Sequence, residues 1–283
     1  MSSSLDHSAI AGRNWKLEKR DHATFDLTSI TYYTPIGLTF LAGLLTRKMR
    51  LSSTGEVSVN DQVINYLERI DFLKFADESF HGNVSIIPER PSIQRRSLPE
   101  SLVEFCLINI RDVDELETVI DRLSTLCSER AADIIPYPYV NDVFAKLLDN
   151  IFRHSHTTEA FVVAQTASGC VRISISDVGV GIPQNIRSQY GSVSTDSEAI
   201  RKATELGITT SEGGTELTLL RDYIVDPEDY LFIASNQGCV TFRRNRSFTH
   251  RKYDSNFSGT FVEICFKIES KYRRQLEDSD LLF

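Results

Sequence analysis

Asp177-Val178-Gly179-Val180-Gly181-Ile182-Pro183 follows a run in which β-branched residues alternate, at Val171, Ile173 and Ile175. The alternation predicts a strand. The carboxylate at its exit could accept a hydrogen bond from an exocyclic amine on a flat polar ring. Gly179 and Gly181 carry no Cβ, so backbone can approach such a ring closely. Alone, Asp-x-Gly-x-Gly also ends ordinary strands.

A second group of residues suited to chemistry lies upstream. Between Tyr139 and Ser155 the apolar residues Val140, Val143, Phe144, Leu147, Leu148 and Ile151 recur at helical spacing, which predicts an amphipathic helix. Lys146, Asn150, Arg153 and His154 occupy its polar side. An amide oxygen is a hard ligand suited to Mg²⁺, and cations one turn along suit phosphate. A helix face that simply meets solvent would carry the same residue types.

Taken together, this helix and the aspartate-glycine turn resemble the ATP-binding domain shared by gyrase B, heat-shock chaperones, histidine kinases and MutL, the GHKL superfamily. Two further stretches fall in that family's order: Gly213-Gly214-Thr215-Glu216-Leu217-Thr218-Leu219, at the second glycine box, and Ser258-Gly259-Thr260-Phe261-Val262-Glu263-Ile264, at the late strand. The resemblance spans roughly residues 132 to 268. It implies ATP and Mg²⁺ as cofactors, with Asn150 as the metal ligand. It also implies a nucleotide contacted by Asn150, Arg153, His154, Asp177, Gly179, Gly181, Gly213, Gly214, Thr215 and Thr260. The implied fold is an α/β two-layer sandwich with helices on one face of a mixed sheet. Gln184 to Glu212 would be the ATP lid, with a short helix over Ser197 to Leu206.

Two departures bear on turnover. The family places a Glu four residues before the Asn, whereas this chain has Lys146, a cation that cannot take up a proton at neutral pH. In the glycine box, Glu216 and Thr218 stand where relatives have glycines, which removes bare amides from a phosphate cradle. Weak turnover is therefore expected of an ATPase or Ser/Thr kinase-like switch. The alternative is a degenerate pseudo-ATPase that serves as a protein–protein interaction module. None of the six histidines precedes an acidic residue or sits in a long coiled-coil pattern, which argues against histidine phosphotransfer within the chain.

The elements ahead of this unit predict strand, helix, strand, helix: Thr24 to Tyr33, an apolar helix started by Pro35, Glu56 to Val59, and Val63 to Phe72. The pattern resembles the STAS fold of anti-sigma factor antagonists, with Thr34-Pro35-Ile36-Gly37-Leu38 at the family's phosphoacceptor turn and no Ser there. Residues 82–100 are expected to form a polar connector, followed by a strand at Leu102–Ile110 and a helix at Asp112–Glu129. The expected organisation is thus a STAS-like domain and connector over 1–95, the ATP-binding unit over 96–270, and a tail over 271–283.

At 283 residues and 41% hydrophobic composition the chain can build two cores. A net charge of −8 speaks against general nucleic-acid binding, with a basic stretch from Arg243 to Lys252 as the local exception. The longest apolar run is too short to span a bilayer, and no signal peptide is evident. Five cysteines without CxxC spacing are expected as reduced thiols. A bacterial cytoplasmic protein with a STAS-like or regulatory protein partner and no membrane contact is the resulting expectation. A homodimer is left open.

Overall fold

The computed structural model describes residues 3–5, 22–49, 54–79, 81–89, 102–131, 137–191, 193–205, 216–224, 226–244, 246–249 and 257–268. It is a mixed α/β architecture. The N-terminal part holds strands β1 (Ser3–Leu5), β2 (His22–Leu27) and β3 (Ile30–Tyr33), then helix α1 (Pro35–Met49) and strand β4 (Thr54–Val59). Helices α2 (Asp61–Arg69) and α3 (Phe72–Ser79) and strand β5 (Val84–Ile87) complete it. Next come β6 (Leu102–Asn109), α4 (Val113–Ala131), α5 (Tyr137–His154), β7 (Glu159–Ala167) and β8 (Cys170–Ser176). Helices α6 (Ile182–Tyr190), α7 (Asp196–Ala203) and α8 (Glu216–Asp222) lead to β9 (Tyr230–Asn236), β10 (Gly238–Arg243), β11 (Arg246–Thr249) and β12 (Phe257–Lys267).

Parallel and antiparallel pairing are both present, in separate sheets rather than mixed within one as expected. Strands β2-β4-β5 form a parallel sheet and β1-β3 a parallel pair. The large sheet, ordered β11-β10-β9-β12-β8-β7-β6, is antiparallel at every pairing. Tight connections at Ser168-Gly169 and Gln237 force the reversal there, since a short hairpin can only join antiparallel strands.

Alternation along the strands sorts the core into two faces. On one face Val171, Ile173 and Ile175 of β8, with Val262, Ile264 and Phe266 of β12, meet Leu123 and Leu126 of α4, Leu147 and Leu148 of α5, and Leu220 of α8. Helices cover this face, and because α1 covers the other, helices lie on both faces of the sheet rather than on the one face expected. On the other face Phe161, Phe232 and Phe261 meet α1. Helix α1 is buried nearly all round, as an apolar helix without a polar stripe must be.

Polar contacts fix α1 to the sheet. The Ile36 amide donates to Glu263 Oε2 at 2.8 Å, and Thr39 Oγ1 is within 2.9 Å of Ser174 Oγ. The stretches on either side of residue 95 therefore share one hydrophobic cluster. Within the expected polar connector, Val84–Ile87 forms β5 and pairs with β4. Thr34, at the turn resembling a phosphoacceptor site, is buried at the start of α1, where the Gly37 amide points to its Oγ1 at 3.4 Å.

Candidate functional site

An open cleft, with about 480 Å³ of free space including its mouth, lies between α5 and the Asp177–Gly181 turn. Leu147, Ile151, Ile175, Ile182, Leu217 and Val262 give it apolar walls, and Asn150, His154, Asp177 and Thr260 supply its polar groups.

Helix α5 sets the first wall. At about 100° per residue, positions 147, 150, 151 and 154 fall on one side of a helix, and all four line the cleft. Arg153 points away from them. It is exposed and its Nε donates to Asp149 Oδ2 at 2.5 Å, one turn back. The expectation that Arg153 joins the site is therefore not met: position 153 lies on the side of the helix shared with Asp149. Lys146 is within α5, but its side chain is outside the described residues.

The second wall is the turn leaving β8. The Val180 amide donates to the Ser155 carbonyl at 2.8 Å, which joins the turn to the C-terminal end of α5. Gly179 makes this approach possible, because a Cβ there would fall 1.9 Å from the Ser155 oxygen. Gly181 adopts a φ of +81°, the left-handed region that favours glycine, as it turns the chain into α6. The Ile182 amide then donates to Ser235 Oγ at 2.9 Å, and Asn185 Nδ2 donates to the His154 carbonyl at 2.8 Å.

Asp177 is almost wholly buried, at 2% exposure. Burial pushes its carboxyl up to about 7, against hydrogen bonds from the backbone at Gly179 and Thr260 that favour the charged form. Its Oδ1 accepts from the Gly179 amide at 2.7 Å, while its own amide donates to the Thr260 carbonyl at 2.8 Å. An acceptor held in place among apolar walls suits a planar ring that presents an amine.

Of the sequence-expected residues, Asn150, His154, Asp177, Gly181 and Thr260 come together on this cleft, and Gly179 supports the turn from behind. Gly213, Gly214 and Thr215 lie outside the described residues. Among the described residues no lysine or arginine lines the cleft, and no three His, Cys, Asp or Glu side chains gather as a metal cluster. Metal binding there would rest on Asn150 together with oxygens that a ligand brings.

Sequence reasoning missed Ser155, Asn185 and Ser235. Asn185 fell in the segment read as lid, yet Ile182–Tyr190 is helical and its first turn packs on the site. A Pro two residues after Gly181 was the available signal, since Pro favours the first turn of a helix. The helix expected over Ser197 to Leu206 is present as α7, Asp196–Ala203, opened by a capping box between Thr195 and Glu198. Among the described residues no helix is long and apolar enough to cross a membrane. Compared with known proteins, the chain matches no family model and no curated protein.

Proposed function

We propose that this protein binds an adenine nucleotide with Mg²⁺ in the cleft between α5 and the Asp177–Gly181 turn, as a GHKL-type switch with little turnover. The observation that carries the reading is the convergence of Asn150, His154, Asp177, Gly181 and Thr260 on one hollow, from three separate stretches of sequence. In this reading Asp177 accepts from the exocyclic amine of the base, and Ile175, Leu217 and Val262 flank the ring. Asn150 holds the metal and His154 faces the phosphates. A bound Mg²⁺ would neutralise phosphate charge where the described lining offers no lysine or arginine.

Slow hydrolysis follows from the sequence, because Lys146 occupies the position of the family's general base. A nucleotide-dependent change in a STAS-like or other regulatory protein partner is the activity such a switch would serve. A cytoplasmic setting accords with five cysteines that are all free thiols.

Calorimetric titration of a non-hydrolysable ATP analogue with Mg²⁺ tests the reading. Saturable binding by the wild type is expected, with at least a roughly tenfold loss in Asn150→Ala when Mg²⁺ is present, the effect of removing one ligand group worth about 1.4 kcal/mol or more. No binding by the wild type, or undiminished binding by both Asn150→Ala and Asp177→Asn, would overturn it.

A further inference from the structure

The face of the large sheet opposite the cleft brings two cysteines together. Across the β8–β12 pairing Cys170 stands opposite Lys267 and Cys265 opposite Arg172. The two cysteines are thus diagonal neighbours on the same side of the ladder, and both belong to the cluster under α1. Each thiol acts on the ionisation of the other, which makes the two sulfurs close neighbours. We propose that Cys170 and Cys265 form a thiol–disulfide switch that responds to hydroperoxides, with Cys170 as the attacking sulfur and Cys265 as the resolving one.

The roles follow from what surrounds each sulfur. Cys170 follows the Ser168-Gly169 turn and is 8% exposed, against 2% for Cys265. The neighbouring Cys265 thiol, then Arg172 and Lys267, hold the Cys170 thiol below its ordinary value against burial, while the same contact and burial push Cys265 up. Tyr32 of β3 contacts Arg172 at 3.4 Å, and the charged groups Glu228 and Glu263 complete the surroundings. Cys106 and Cys127 are different: burial raises each to about 12, and neither has a cysteine neighbour of this kind.

The chemistry balances with a hydroperoxide as oxidant. The Cys170 thiolate attacks the peroxide oxygen, the O–O bond breaks, and hydroxide leaves as Cys170 becomes a sulfenic acid. Cys265 sulfur then attacks Cys170 sulfur, the S–O bond breaks, and water departs with the Cys265 proton. Sulfur is oxidised by two electrons and the peroxide oxygen is reduced. Diagonal neighbours on an antiparallel pair stand roughly 7–8 Å apart, beyond the roughly 4.4–6.8 Å usual for a disulfide, so closing the bond draws the backbones of β8 and β12 together. The bond so formed is strained and easily reduced, which is the character of a regulatory disulfide.

Peptide mapping of the full chain after stoichiometric hydrogen peroxide decides the matter without any variant. The expected product joins tryptic peptides 154–172 and 253–267 with loss of two hydrogens. Cys170 should react about tenfold faster than Cys127, in line with its thiolate character. Cys265→Ser should leave a sulfenic acid on Cys170 that dimedone traps. Failure to detect the joined peptides, or a Cys170 that reacts no faster than Cys127, would overturn the proposal. Neither readout involves a nucleotide, so the proposed function stands or falls separately.

Discussion

Val180 and Ser155 are joined by a 2.8 Å hydrogen bond from amide to carbonyl, and this contact holds the two walls of the cleft at a fixed spacing. It depends on the bare Cα of Gly179, since a side chain there would meet the same carbonyl. Gly179→Ala is expected to destabilise the fold by roughly 3 kcal/mol or more, as overpacking against backbone leaves little room to relax. Urea unfolding measures this, and a change below about 1 kcal/mol would show that the turn shifts freely.

Asp177 makes stability depend on pH. Its folded-state value of about 7 lies above the ordinary 3.8, so the buried carboxyl is favoured neutral. The contribution is fully present below about pH 4 and is lost as pH rises through about 7. Asp177→Asn should remove that slope and gain stability on the wild type between pH 4 and pH 8, by a few kcal/mol at most at about 1.4 kcal/mol per unit. The same variant should lose nucleotide affinity. Parallel stability curves for the two proteins would contradict the assignment.

Arg153 serves as the contrast. Exposed and paired with Asp149 at 2.5 Å, it stands off the cleft. Arg153→Ala is expected to leave the affinity for the ATP analogue unchanged and to alter stability by no more than roughly 0.5 kcal/mol. Loss of binding in calorimetry would place this side chain in the site after all.

Under the proposed reading, Lys146→Glu supplies the residue type that GHKL proteins use to activate water. A gain in phosphate release over the wild type is expected, of roughly the 10²-fold or more that a positioned general base supplies. Unchanged rates would count against a missing general base at position 146 as the limiting defect in the proposed reading.

Glu263 is fully buried and accepts from the Ile36 amide at 2.8 Å and from the Tyr230 hydroxyl at 2.7 Å. Glu263→Ala would remove this acceptor from both donors. The expected loss is about 2–6 kcal/mol, since each of the two buried donors left without this acceptor costs roughly 1–3. Glu263→Gln keeps an acceptor and should lose less. Equal stability of all three proteins in urea would show that α1 is held by apolar contact alone.

Much of this architecture was legible in the chain. Helical spacing from Val140 to Ile151 gave α5, and alternating β-branched residues from Val171 to Ile175 gave β8, although both faces of that strand are covered. Weakly patterned elements were not legible. In α6 only Pro183 and Ile186 are buried, so its polar residues resemble a loop. Strand β5 is four residues long and ends at Pro88, which reads as connector. The site residues could be located because their types are chemically unusual at that spacing. Arg153 misled because sequence neighbours on a helix differ in direction by about 100°. The seat of α1 on the large sheet is a long-range fact: its apolar surround announces burial without saying against what.

The bond between Ile36 and Glu263 closes a loop of 227 positions, and β12, which brings Glu263, sits between β8 and β9 in the large sheet. During synthesis α1 emerges long before the surface that receives it. Until the final strand threads into its central slot, a greasy helix and a row of aromatic rings stay wet, which invites chaperone capture and slow maturation. Removing the first eighty residues would therefore not liberate an independently folded fragment; it would yield a sheet with an uncovered back, prone to clumping.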